Sequence, residues 1–160
     1  MAAAEIFGAA VGVMLLIIVA YVVVGSTLYA AETVANTQKD LTLQQETRIR
    51  TSISITNPTY NNSIIYANLT NSGTEIIGDF KHMDVIVYDS ELKDYQTYPY
   101  APGDPVNPGR WGIENQFNEF IHPYELDPGE IYRIRVNTDG NSPSWFQITT
   151  GNGVSASAFV

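Results

Sequence analysis

The chain has no cysteine, so no disulfide can staple it and no thiolate is present to act as nucleophile or metal ligand. Its two histidines, His82 and His122, lie in unrelated segments, too few and too scattered to suggest a zinc site. Basic residues are scarce, with 8 Lys plus Arg against 17 Asp plus Glu and a formal net charge of -9. Such a surface repels phosphate backbones, which excludes nucleic acid as a partner. No G-x-S-x-G elbow, P-loop or G-x-G-x-x-G fingerprint occurs. Acyl transfer, nucleotide and dinucleotide chemistry therefore have no support, no catalytic or metal-ligating set can be nominated, and no cofactor is expected.

Charge is missing from one stretch altogether. From Ile6 to Val24 nineteen residues carry no charged side chain, and the run continues tolerably to Ala31. At 1.5 Å per residue, about 20 residues cross the ~30 Å hydrocarbon layer of a bilayer. A buried core helix would keep a polar stripe; this run is apolar all round, with Ile6, Phe7, Val11, Leu15, Ile18 and Val22 marking a membrane or filament-core helix. A secretory signal would show a basic flank and a shorter apolar run, whereas Met1 to Glu5 has neither Lys nor Arg. An uncleaved anchor is expected. Glu5 stands near the site where type IV pilins carry a carboxylate that contacts a neighbouring subunit, so it is a candidate inter-subunit contact. The alternative for Glu5 is a carboxylate placed favourably at the positive end of the helix.

Glycine and proline are absent from Glu32 to Arg48, where Gln, Glu, Lys and Leu extend the helix into a solvated stalk. At Arg48 the period changes to two. Ile49, Thr51, Ile53 and Ile55 alternate with polar residues until Asn57-Pro58, the pattern of a half-buried strand. Further strands are expected at Ile64 to Thr70, Glu75 to Phe80 and Met83 to Tyr88, around Trp111 to Phe117 and Tyr132 to Val136, at Ser144 to Thr150, and over the closing Val154, Ala156, Ala158, Val160 alternation. With about seven or eight such runs at sandwich-like spacing and no helix between them, the fold class is a long N-terminal transmembrane or filament-core α-helix followed by an all-β, immunoglobulin-like antiparallel sandwich. The division falls at 1–48, anchor and stalk, and 49–160, the sandwich. Thirteen of the acids and five of the bases lie beyond residue 50, so the negative charge belongs to the sandwich.

Two sequons, at Asn61 and Asn68, are candidate glycosylation sites and favour an extracytoplasmic sandwich. The stretch from Pro99 to Gly109 holds four prolines and two glycines, which fixes a surface loop. Beside or within it, Tyr95, Tyr98, Tyr100 and Asp104 form the candidate partner surface. Trp111, Trp145, Phe117, Phe120 and Tyr124 are read as core or sandwich-end packing rather than a sugar platform, and the acids Asp89, Glu91 and Asp94 as a solvated rim without EF-hand spacing.

The order of these features resembles a known family. An uncharged N-terminus, one apolar helix, a Gln-rich stalk, Ile55-Thr56-Asn57, Asn71-Ser72-Gly73, the Met83 to Tyr88 strand, the Leu126 to Glu130 turn and the closing Asn152 to Ala158 follow one another as in the archaeal archaellum (archaeal flagellum) accessory proteins F and G. The resemblance spans almost the whole chain, the Pro99 to Gly109 loop excepted. It implies a pilin-like helix in the membrane or filament base, a sandwich beneath the S-layer, and a structural rather than enzymatic role. S-layer protein, other archaellum components and copies of the chain itself are the partners it implies. An archaellin or pilus-like subunit polymerising through the same helix is the second reading.

Overall fold

The computed structural model describes residues 2–103, 107–117 and 121–160 of the 160-residue chain. Two compact units result, Met1–Leu43 and Gln44–Val160. The first is helical throughout its described residues, within α1 (Ala2–Arg50). The helix is long and apolar enough to cross a membrane.

In the second unit the last turn of α1 is followed by β1 (Ile53–Asn61), β2 (Ile64–Asn71), a 3-10 turn at Phe80–His82, β3 (Asp84–Asp89), β4 (Asp94–Tyr98), β5 (Arg110–Phe117), β6 (Ile131–Asn137), β7 (Pro143–Thr149) and β8 (Ser155–Phe159). The strands form two four-stranded antiparallel sheets, β1-β2-β6-β5 and β4-β3-β7-β8. Their inner faces enclose one core, with Ile65, Leu69, Trp111, Tyr132, Ile134 and Val136 from the first sheet meeting Val85, Val87, Phe146 and Ile148 from the second. Alternation along each strand produces this: in β2 every second residue is buried, and the outward ones are half-exposed. Trp111 is fully buried, and its indole N–H donates to the Met83 carbonyl at 3.4 Å. That weak bond gives the one polar atom of a large apolar group a partner.

The helix persists past the expected switch at Arg48. Ile49 is helical and 84% exposed, not a strand residue. Thr51 closes the last turn, its N–H and its hydroxyl both donating to the Thr47 carbonyl at 3.0 and 2.8 Å. The helix end is then gripped by the turn after β2. Thr74 and Glu75 donate backbone N–H groups to the Arg50 carbonyl at 2.8 and 3.3 Å, and Ser72 and Gly73 donate to the Ser52 carbonyl at 2.9 and 3.0 Å. Only glycine fits at 73, because a Cβ there would lie 2.4 Å from the Arg50 carbonyl oxygen. Asn71, fully buried, supports the turn from within. Its amide donates to the Glu75 and Leu126 carbonyls at 2.7 and 2.9 Å, and its oxygen accepts from the Gly73 N–H at 3.0 Å.

Two expectations fail here for local reasons. Asn57-Pro58 does not end β1. The strand carries one extra residue between Thr56 and Thr59, with Asn57 at φ 51°, and continues to Asn61. As β1 is an edge strand, the bulge accommodates a proline that cannot donate to a ladder. Glu75 to Phe80, in turn, is not a strand. Ile77 makes a single bridge to Leu126, with bonds of 3.2 and 2.8 Å, before the chain tightens into the 3-10 turn.

Candidate functional site

Within the first unit the apolar side chains face outward on every side. Ile6, Phe7, Val11, Leu15, Ile18 and Val22 are between 43% and 73% exposed, although burying each would be worth about 1.5–3 kcal/mol. Nineteen helical residues make a cylinder about 28 Å long, close to the thickness of a hydrocarbon layer. Beyond Val24 the first aliphatic hydroxyls are satisfied inside the helix: Ser26 and Thr27 donate to the Val23 carbonyl at 2.9 and 3.0 Å. Apart from the exposed phenol of Tyr21, residues 6–24 present only apolar side chains and glycine. Glu5 lies in the first turn, exposed, where the free N–H groups of the helix favour a carboxylate.

On the sandwich, Asn61 is exposed at the tip of the β1–β2 hairpin, next to a two-residue turn in which Asn62 and Ser63 have φ of 50° and 63°. This is the backbone signature of a tight, twist-matched hairpin turn. Asn68 is half-buried on the outer side of β2, between Thr56 and Arg133. Arg133 pairs with Glu114 at 2.9 Å and lies over the Tyr66 ring at 5.3 Å.

The candidate tyrosine surface divides. Tyr95 is 63% exposed on the outer side of β4, whereas Tyr98 is 3% exposed and faces the core. An odd spacing on a strand puts the two rings on opposite faces. The Tyr98 hydroxyl donates to Gln96 Oε1 at 3.0 Å and accepts from the Asn141 amide at 3.1 Å, and burial raises its pKa above the usual phenol value. Tyr100 packs on Trp111 and Phe80, with ring centroids 4.9 and 6.0 Å apart, and burial raises its pKa too. Asp104 and Phe120 lie outside the described residues.

Of the other aromatics, Trp111 is core as expected. Trp145 and Tyr124 are not: Trp145 is half-buried on the outer face of β7, and Tyr124 is 77% exposed at φ 71°. Phe117 lies at the surface end of β5, 38% exposed. Asp89 is no solvated rim acid. It is buried, and its carboxylate accepts from the Leu92, Glu91 and Ser142 N–H groups at 2.8, 2.7 and 3.2 Å, so its pKa is lowered. His82 pairs with Asp79 and His122 with Asp127. Among the described residues no group of three His, Asp or Glu is placed to hold a metal ion.

Taken together, these features define a class: a protein with an N-terminal helix of membrane-spanning length and a β-sandwich of two four-stranded antiparallel sheets. No family model matches the chain, and no curated protein matches it. Among solved structures, it is similar to the archaellum periplasmic stator protein FlaG of Sulfolobus acidocaldarius, at 21% identity and a TM-score of 0.49, over 69% of this chain and 99% of that one. It is also similar to a chain in the complex of the periplasmic stator proteins FlaF and FlaG from the same organism, at 19% identity and a TM-score of 0.45, over 68% and 87% of the two chains.

Proposed function

We propose that this chain is a structural component of the archaellum, held in the cell membrane by residues 6–31, with residues 49–160 outside the membrane and contacting the S-layer. The observation that carries the reading is the helix: apolar on every face, of bilayer length, and preceding in the same chain a sandwich with a strong excess of acidic residues. The order of sequence motifs shared with the archaellum accessory proteins supplies the setting. Torque on a rotating filament must be resisted by something tied to both membrane and lattice, and a helix and a sandwich in one chain provide two attachment points. No chemistry is required.

Glu5 favours a second reading, an archaellin or pilus-like subunit whose helices bundle at a filament centre. The two differ in stoichiometry. Cell fractionation with quantification of this chain is expected to recover it with the envelope at far fewer copies than the filament protein. If it forms the main mass of purified filaments, the anchor reading fails. Loss of residues 1–31 is expected to release a folded sandwich that cannot support motility.

A further inference from the structure

The outer face of the β4-β3-β7-β8 sheet carries an aromatic row that crosses all four strands. Cross-strand register sets Tyr95 opposite Tyr88, Tyr88 opposite Trp145, and Trp145 opposite Phe159. At about 4.8 Å between strands, the row is roughly 14 Å long. Three of its rings hold one another: Tyr88 and Tyr95 have centroids 5.0 Å apart, and Tyr95 meets Trp145 edge-on at 6.1 Å. Tyr95 and Phe159 nevertheless remain 63% and 78% exposed. Such contacts fix the rings before any ligand arrives, so little side-chain entropy is lost on binding.

The neighbouring row completes the pattern. Thr97, Ile86, Gln147 and Ser157 lie side by side in the same register, three of the four offering an uncharged hydroxyl or amide. Asp84 is the single charged residue among the outward positions of these four strands. In a molecule of net charge -9 that is an unusually neutral face. It offers no cation for a phosphate, sulfate or uronate, and almost no anion for a basic peptide.

A flat apolar strip beside a strip of neutral donors and acceptors matches the two sides of a sugar ring, which has C–H bonds on one face and hydroxyls around its rim. We propose that this face binds an uncharged oligosaccharide, aromatic rings stacking on sugar faces and the Gln147 row holding hydroxyls. As a description of the envelope contact, the inference rests on the sandwich being the part that meets the envelope.

The test uses the full chain in a detergent without a sugar headgroup, titrated with neutral gluco-, manno- and galacto-configured hexasaccharides. Tryptophan emission is a direct reporter, since Trp111 is fully buried and Trp145 lies in the row. At least one hexasaccharide is expected to shift the emission. Tyr95→Ala and Phe159→Ala should each weaken binding about tenfold, the loss of one stacked ring, while the chain stays folded by circular dichroism at the assay temperature, and Tyr95→Phe should retain binding. Silence across all three sugars, or equal binding by the alanine variants, overturns the proposal. So does sedimentation showing a dimer that both alanine variants dissolve, because a second copy would then cover the face. A parallel arm uses isolated envelope before and after periodate, which cleaves sugar diols. Binding that periodate abolishes supports the proposal; binding that survives periodate and both alanine variants overturns it while leaving the envelope reading intact. Hexasaccharide binding without any envelope binding supports the sugar site and overturns the envelope contact.

Discussion

The two units of this protein carry their information in different ways. In the helix, composition matters and position hardly does: Leu15 or Ile18 could exchange with any apolar residue and residues 6–24 would still read as one hydrocarbon surface. In the sandwich, position is everything. Trp111 and Trp145 are the same residue type on strands of one domain, yet one fills the core and the other lies on an outer face because of the strand parity each happens to occupy. A solvent-facing apolar helix is specified by an average, and a packed sheet by a register.

Substitutions sharpen that contrast. Trp111→Ala should destabilise the sandwich by about 3–5 kcal/mol, read by chemical denaturation, whereas Leu15→Ala should leave the same transition unmoved. A reversal of that order would mean that the helix contributes to sandwich folding. Charge inverts the sensitivity: Ile18→Arg should cost about 2.5–3.5 kcal/mol in a membrane-insertion assay and leave the denaturation midpoint where it was. Insertion equal to wild type would remove the membrane from the account of this helix.

Gly73→Ala tests the place where helix and strands join within the second unit. The added methyl must displace backbone at Arg50 and Ser52, so a loss of about 1–3 kcal/mol is expected. Gly8→Ala, with open space around its Cβ, serves as the control with no loss. The smallest effect concerns pH. Backbone N–H groups, that of Leu92 foremost, hold the Asp89 carboxyl below its usual pKa. Its contribution to stability is therefore present above the unfolded-state value, about 3.9, and drains away as pH falls through the lower folded value. Asp89→Asn should lower the melting temperature at neutral pH and flatten the acid limb of the stability curve; an unchanged acid limb would show that Asp89 takes no part in it.

How much of this was legible in sequence follows the same division. The helix declared itself by composition, and β2, β3, β6, β7 and β8 by alternation. Ile49 misled because Ile49, Ile53 and Ile55 share a period of two, while the decision to stay helical was made by Thr51 bonding back to Thr47 and by Thr74 and Glu75 capping Arg50. Pro58 misled because a proline ends a central strand, and nothing local says that β1 is an edge. Tyr95, Tyr98 and Tyr100 looked like one surface since they crowd together in sequence; β4, unexpected, separates them. The aromatic row was invisible for a related reason. Tyr88, Tyr95, Trp145 and Phe159 come from four strands, and only the pairing of those strands brings them into line.

The grip on the helix end has a mechanical meaning as well. Any tension carried along the backbone at Arg50 meets four backbone hydrogen bonds, from residues 72 to 75 onto the carbonyls of Arg50 and Ser52, before it reaches the β1–β2 ladder. Bonds set side by side on two nearby carbonyls share such a load. Residues 50–52 and 72–75 thus act as a buckle, and the load at which it opens sets the pull this domain can withstand before its first strand begins to peel.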